Sequence, residues 1–119
     1  MKYMEDWIQS NDKIDAVISM NDNMAAGALE VVKDNPKFKN MLAYGVDGTA
    51  EALLLIQEGR MTSTCMQSAY DLATKLLDTS NKLLTGAEKQ IDTDIGNPLV
   101  NKDNVQEYIE ILKKSGAIK

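Results

Sequence analysis

The sequence predicts an α/β fold with a mostly parallel sheet, and two features carry that expectation. Four apolar, β-prone runs alternate with segments of helical periodicity along the 119 residues. Three of those runs end in polar side chains immediately before a helix, at Asn21-Asp22, Asp47-Gly48-Thr49 and Gln67-Ser68. Strand–helix repeats at this spacing read as right-handed crossovers, and such sheets place ligands beyond the carboxyl ends of their strands.

A short first helix carries Met4, Trp7 and Ile8 on one face, with Trp7 expected to anchor it. The first strand is Ile14 to Met20, a nearly continuous buried-strand pattern. Asn21 or Asp22 can cap the helix that runs to about Lys33, on which Met24, Ala25, Ala28, Leu29 and Val32 recur at helical spacing. Asn35-Pro36 stops it. The second strand is Met41 to Val46; Thr49 then caps a short helix that ends at Gly59. The third strand, Met61 to Gln67, is more polar and reads as lying near an edge or a crossover. Ser68, with Asp71 three residues on, resembles a capping box and opens a helix carrying Leu72, Leu76, Leu77, Leu83 and Leu84. Residues 90–97 alternate like a strand, Pro98 breaks them, and a last helix spans about Lys102 to Lys114 with Val105, Tyr108, Ile109 and Leu112 on one side.

Composition narrows the chemistry. Hydrophobic residues make up 44% and charged residues 26%, a globular balance with no low-complexity tract. The net charge is −5 with no basic run, so neither a nucleic-acid backbone nor an anionic membrane surface is an expected partner. No stretch approaches the ~20 apolar residues of a membrane helix, and the acidic start Glu5-Asp6 is not that of a signal peptide. The chain has no histidine and one cysteine, Cys65, which removes Ser-His-Asp triads, Cys-His dyads, an internal disulfide and histidine or cysteine metal clusters. No catalytic residue, metal site or cofactor is expected. Cys65 reads as a small buried hydrophobe and Met4, Met20, Met24, Met41, Met61 and Met66 mostly as core filling. Asn21, Asp47 and Gln67 together offer amide donors and acceptors and a carboxylate acceptor, a set suited to the hydroxyls of a polyol. Singly, each has a plainer reading as a helix cap or a turn.

Four segments then give a specific resemblance. Val17-Ile18-Ser19-Met20-Asn21-Asp22-Asn23-Met24-Ala25-Ala26-Gly27-Ala28, Tyr44-Gly45-Val46-Asp47-Gly48-Thr49, Gly59-Arg60-Met61-Thr62-Ser63-Thr64-Cys65-Met66-Gln67 and Asn97-Pro98-Leu99-Val100-Asn101-Lys102-Asp103-Asn104-Val105 stand in this order. They resemble segments of periplasmic sugar-binding proteins of the ribose-binding type, in the type I periplasmic-binding-protein-like and LacI-like superfamily. The resemblance implies a partial type I fold and a role in solute binding for ABC-type transport. Asn21, Asp47 and Gln67 would contact the sugar, with Asp22, Thr49 and Ser68 as caps and supports; the glutamine points to a pentose or similar small polyol. Residues 1–67 would form a βαβαβ segment of the C-terminal lobe. Residues 68–97 would cross to the other lobe as a helix plus a return strand, and 98–119 would come back with the terminal helix. The parent receptor would work in the periplasm or as an extracellular lipoprotein, with a membrane permease as partner.

The resemblance covers the C-terminal part of such receptors, so this chain alone is expected to bind sugar weakly or not at all. The Leu72, Leu76, Leu83 face, which would pack on the other lobe, is expected to drive self-association, with a helix or terminal segment exchanged between chains. Three rival readings stand beside this one. They are the effector core of a LacI-like transcription regulator, a small Mg²⁺-dependent α/β enzyme using Asp22 and Asp47, and a stand-alone interaction protein.

Overall fold

The computed structural model describes residues 1–118. Five α-helices and four strands follow one another as α1 (Lys2–Ser10), β1 (Ala16–Ile18), α2 (Asp22–Val32), β2 (Leu42–Asp47), α3 (Ala50–Gln57), β3 (Ser63–Met66), α4 (Ala69–Leu84), β4 (Leu99–Asn101) and α5 (Val105–Lys114), with a 3₁₀ turn at Pro36–Phe38. The sheet order is β1-β2-β3-β4. The first three strands are parallel, with Ile18 beside Tyr44 and Asp47 beside Met66, while β4 pairs antiparallel to β3 through Thr64 and Val100.

Side-chain alternation explains the layering. Val17, Ala43, Thr64 and Val100 point to one face of the sheet and are buried. Against them lie α2 and α3, and α5 packs on α3. Ala25, Ala28, Leu29 and Val32 supply the α2 contact; Leu53 and Ile56 of α3 and Ile109 of α5 are fully enclosed, each contributing about 2 kcal/mol of hydrophobic stabilisation. The caps are side-chain caps: Asn21 Oδ1 accepts from Met24 N–H at 2.9 Å, Thr49 Oγ1 from Ala52 N–H at 3.2 Å and Ser68 Oγ from Asp71 N–H at 3.2 Å. Asn21 therefore caps α2, and Asp22 is released for another task.

The helix α4 stands apart, with no residue buried, and lengthens the molecule to 60 × 30 × 21 Å. The chain leaves and re-enters the sheet through one narrow place. There Met66 N–H donates to Pro98 O at 2.9 Å and the Cys65 thiol, half-buried rather than fully so, lies 3.3 Å from Asn97 O.

Several expectations are corrected. The return strand does not lie within residues 90–97; Ile91 and Ile95 alternate, but the segment has no neighbour to pair with, and the ladder begins at Leu99 once the chain is back beside β3. β3 is not at an edge but an inner strand flanked by β2 and β4, and it leads directly into the crossing, the other place that its polarity suggested. The hydroxyl of Thr62, just before β3, faces a protein partner instead of solvent and accepts from Ala43 N–H at 3.0 Å. Trp7 is 49% exposed, and Met4, 2% exposed, is the residue that seats α1. Met20 and Met24 are exposed beside the strand ends, whereas Met4, Met41 and Met61 fill the core.

Candidate functional site

The register of the parallel strands brings the loops after β1, β2 and β3 to one edge. Asn21 lies three residues beyond Ile18 and Asp47 three beyond Tyr44, so the Ile18–Tyr44 pairing sets them level. Gln67 follows Met66, the partner of Asp47, and its N–H donates to Asp47 O at 3.0 Å.

Beneath this edge sits a buried polar hub. Asp22 is 1% exposed and Thr64 is fully buried. Thr64 Oγ1 donates to Asp22 Oδ1 at 2.6 Å, and Thr49 N–H donates to Asp22 Oδ2 at 2.7 Å. Gly48 N–H in turn donates to Thr64 Oγ1 at 3.2 Å. One carboxylate and one hydroxyl thus satisfy each other and two backbone donors, as buried polar groups must be satisfied.

The hub dictates the shape of the loop above it. For two successive N–H groups to turn inward, the backbone takes left-handed angles at Asp47 (φ 119°) and Gly48 (φ 75°). Gly48 accepts this freely and has Met66 packed where a Cβ would stand; Asp47, an L residue, is strained there. Strain held at a half-buried aspartate beyond a strand end is the kind that accompanies a binding site.

Among the described residues, the Asp47 carboxylate, the Gln67 amide and the Asn21 Nδ2 have no protein hydrogen-bond partner. The three remain available to an incoming group, with Met20 and Met24 as apolar neighbours. They do not share an enclosed cavity. Gln67 opens onto a groove of about 810 Å³ between the start of α4 and the end of α5, floored by Met66 and walled by Tyr70, Pro98 and Tyr108, which neither Asn21 nor Asp47 lines. The arrangement can donate to and accept from hydroxyls. Because both Asp22 oxygens are held by protein donors, Asp22 and Asp47 do not form the paired Mg²⁺ carboxylates of the enzyme reading.

Sequence reasoning placed Asn21, Asp47 and Gln67 at this edge and Asp22, Thr49 and Ser68 around it. It missed Thr64, whose only signal was a hydroxyl inside a strand, and Tyr70, 79% exposed beside the groove. No helix among the described residues is long and apolar enough to cross a membrane.

A family profile described as a periplasmic binding protein domain matches residues 1–88. The xylitol-binding protein of Mycolicibacterium smegmatis is 30% identical over 108 residues, which cover 90% of this chain and 31% of that protein. The ribose import binding protein of Bacillus subtilis is 32% identical over 96 residues, 81% of this chain and 30% of that protein. Among solved structures, an ABC transporter solute binding protein from Bacillus halodurans with bound myo-inositol superposes with a TM-score of 0.81 at 32% identity, over 92% of this chain and 38% of that one. The chain thus spans 31% and 30% of the two curated relatives named. With the profile covering all of β1 to α4 and the superposition extending over nearly the whole chain, the chain belongs to the periplasmic binding protein domain family.

Proposed function

We propose that this chain forms one wall of the ligand cleft of an ABC-transport solute receptor, with a sugar or small polyol as ligand. The observation that carries the reading is the conjunction at one sheet edge of a strained Asp47, held by a buried hub, with the unpartnered polar groups of Asn21 and Gln67. Asp47 accepts from two hydroxyls, Gln67 donates and accepts, and the Asn21 Nδ2 donates. The similarity to proteins named for xylitol and ribose, and to one holding myo-inositol, supports the ligand class.

In this reading residues 1–67 and 98–119 belong to one lobe, and 68–97 reach toward a second. The paired crossings at Met66 and Pro98 form part of the hinge about which the lobes close. The receptor works in the periplasm or as an extracellular lipoprotein and hands its ligand to a membrane permease.

Titration of the ¹⁵N-labelled chain with xylitol, ribose and myo-inositol tests this. Weak binding is expected, with amide shifts confined to residues 21–24, 47–49 and 67–68. Asp47→Ala removes a charge-assisted acceptor and should weaken binding by about tenfold or more. Shifts elsewhere, or binding indifferent to Asp47→Ala, would remove the reading, and micromolar affinity in the chain alone would overturn the expectation that one wall of the cleft binds weakly or not at all.

A further inference from the structure

Asn21, Asp47 and Gln67 stand at the carboxyl ends of β1 to β3, and the opposite edge of the sheet holds a second concavity. A groove of about 680 Å³ opens there, where α2 and α3 end and β2 and β3 begin. Its floor is apolar and buried: Leu29 and Val32 of α2, Phe38 of the 3₁₀ turn, and Met41 and Met61 just before the two strands. Each wall is a connection between neighbouring elements of this chain. Residues 33–41 join α2 to β2, residues 58–62 join α3 to β3, and Lys102 follows β4. Neither α4 nor the uncovered face of the sheet takes part.

Charge at the rim departs from that of the whole molecule. The chain carries 18 acidic and 13 basic residues, yet Lys33, Lys39, Arg60 and Lys102 line the groove and no carboxylate does. Part of this charge serves the fold. Carbonyls at the ends of α2 and α3 carry partial negative charge; Lys102 Nζ donates to Gln57 O at 3.2 Å, and Lys33 pairs with Glu30. Two cations stay uncommitted. Arg60 meets the Glu30 and Glu58 carboxylates only at 3.6 and 3.8 Å, beyond the reach of a good hydrogen bond. Lys39 makes no ion pair or side-chain hydrogen bond among the described residues. Glu30 and Glu58 set against the four cations leave a surplus of two positive charges.

These features define a ligand. The volume lies within the roughly 300–1,000 Å³ of small-molecule sites, and an apolar floor beneath cations calls for an apolar body with an anionic head. A surplus of two charges matches the dianion of a phosphate monoester. A guanidinium with free N–H groups presents the planar fork that binds phosphate oxygens in pairs. The net charge of −5 repels an extended anionic surface or a long polyanion, so a small soluble molecule suits the groove.

We infer that this groove binds a small organic phosphate, its head held by Arg60 and Lys39 and its apolar body laid on Phe38, Met41 and Met61. The six residues of β2, about 20 Å of strand, separate it from Asp47, so the inference stands apart from sugar binding.

Titration of the ¹⁵N-labelled full chain with phenyl phosphate, at low salt near pH 7, tests it. Amide shifts are expected at residues 33, 39–41, 59–62 and 102, and not at 21–24, 47–49 or 67–68. Inorganic phosphate lacks the apolar body and benzyl alcohol lacks the charge, so each should bind at least about tenfold more weakly. Half-molar sodium chloride should weaken the binding of phenyl phosphate. Arg60→Gln and Lys39→Gln should each lower its affinity about tenfold or more. Because Lys39 has no side-chain partner among the described residues, Lys39→Gln should melt as the wild type does. The inference is overturned by silent groove amides at the solubility limit of phenyl phosphate. Equal binding of either partial probe, or an affinity indifferent to both substitutions, would overturn it too.

Discussion

Asp22 and Thr64, 42 residues apart in sequence, share a 2.6 Å hydrogen bond in the buried floor beneath the strand ends. The bond joins the start of α2 to the middle of β3, and through Gly48 and Thr49 N–H it fixes the loop after β2. Asp22→Ala leaves a buried hydroxyl and a backbone donor without partners, so urea denaturation should show a loss of about 3–5 kcal/mol. Thr64→Val should cost about 2 kcal/mol. Because the two residues act on one network, the double variant should lose less than the sum, with a coupling of about 1–2 kcal/mol. Additive losses would show that the two side chains are independent.

Glycine at two helix or strand interiors gives opposite expectations for the same substitution. A Cβ on Gly45 in β2 would collide with Asp22 Oδ1 and stand 2.7 Å from Met61 Cε, so Gly45→Ala drives the hub apart and should destabilise by about 2–3 kcal/mol. On Gly27, inside α2, a Cβ meets nothing nearer than Met1 Cγ at 3.7 Å. Gly27→Ala should therefore stabilise by about 0.5–1 kcal/mol through helix propensity. Thermal melts of the two variants check the sign of each.

The hub also marks what was and was not legible in the sequence. Asn21, Asp47 and Gln67 could be placed because a parallel sheet sends every strand end to one edge, and a polar residue there stands out against the apolar run before it. Thr64 could not, because a hydroxyl within a strand looks the same whether it faces water or a buried carboxylate; only the pairing of β3 on both sides decides. The polar run of β3 fitted an edge or a crossover equally, and it is an inner strand that leads straight into the crossing at Met66. Residues 90–97 show the converse: Ile91 and Ile95 have strand periodicity, but periodicity does not supply a neighbouring strand. The positive φ of Asp47 had one trace, the Asp-Gly pair, which an ordinary turn explains equally well.

Stability should be nearly flat from about pH 6 to pH 8, since the chain has no histidine and its shifted groups titrate outside that window. The hydrogen bond from Lys37 holds the Asp12 carboxyl below its ordinary range, and that from Lys33 does the same for Glu30. A depressed carboxylate contributes stability above its unfolded pKa and loses it as pH falls through the folded one, so the decline belongs below about pH 4. Lys33 and Lys82 are raised by Glu30 and Asp78 respectively, and their contribution is lost only as pH rises above about 10. These pairs are solvent-exposed, so molar salt should erase most of the acid-side slope. A step in the urea midpoint between pH 6 and 7 would contradict this account.

The strain at Asp47 separates folding from binding. An L residue at φ 119° costs on the order of 1 kcal/mol, and glycine at that position relieves it, less the entropy that glycine adds to the unfolded chain. Asp47→Gly should therefore leave stability equal or improved by up to about 1 kcal/mol, while removing the carboxylate at the end of β2. Asp47→Ala removes the same carboxylate but retains the strain, so it should match Asp47→Gly in lost polyol response and fall below it in melting temperature. If the wild-type residue is held there for ligand rather than for folding, the most stable of the three proteins is one that does not bind. A wild-type chain more stable than Asp47→Gly would instead assign the conformation to packing.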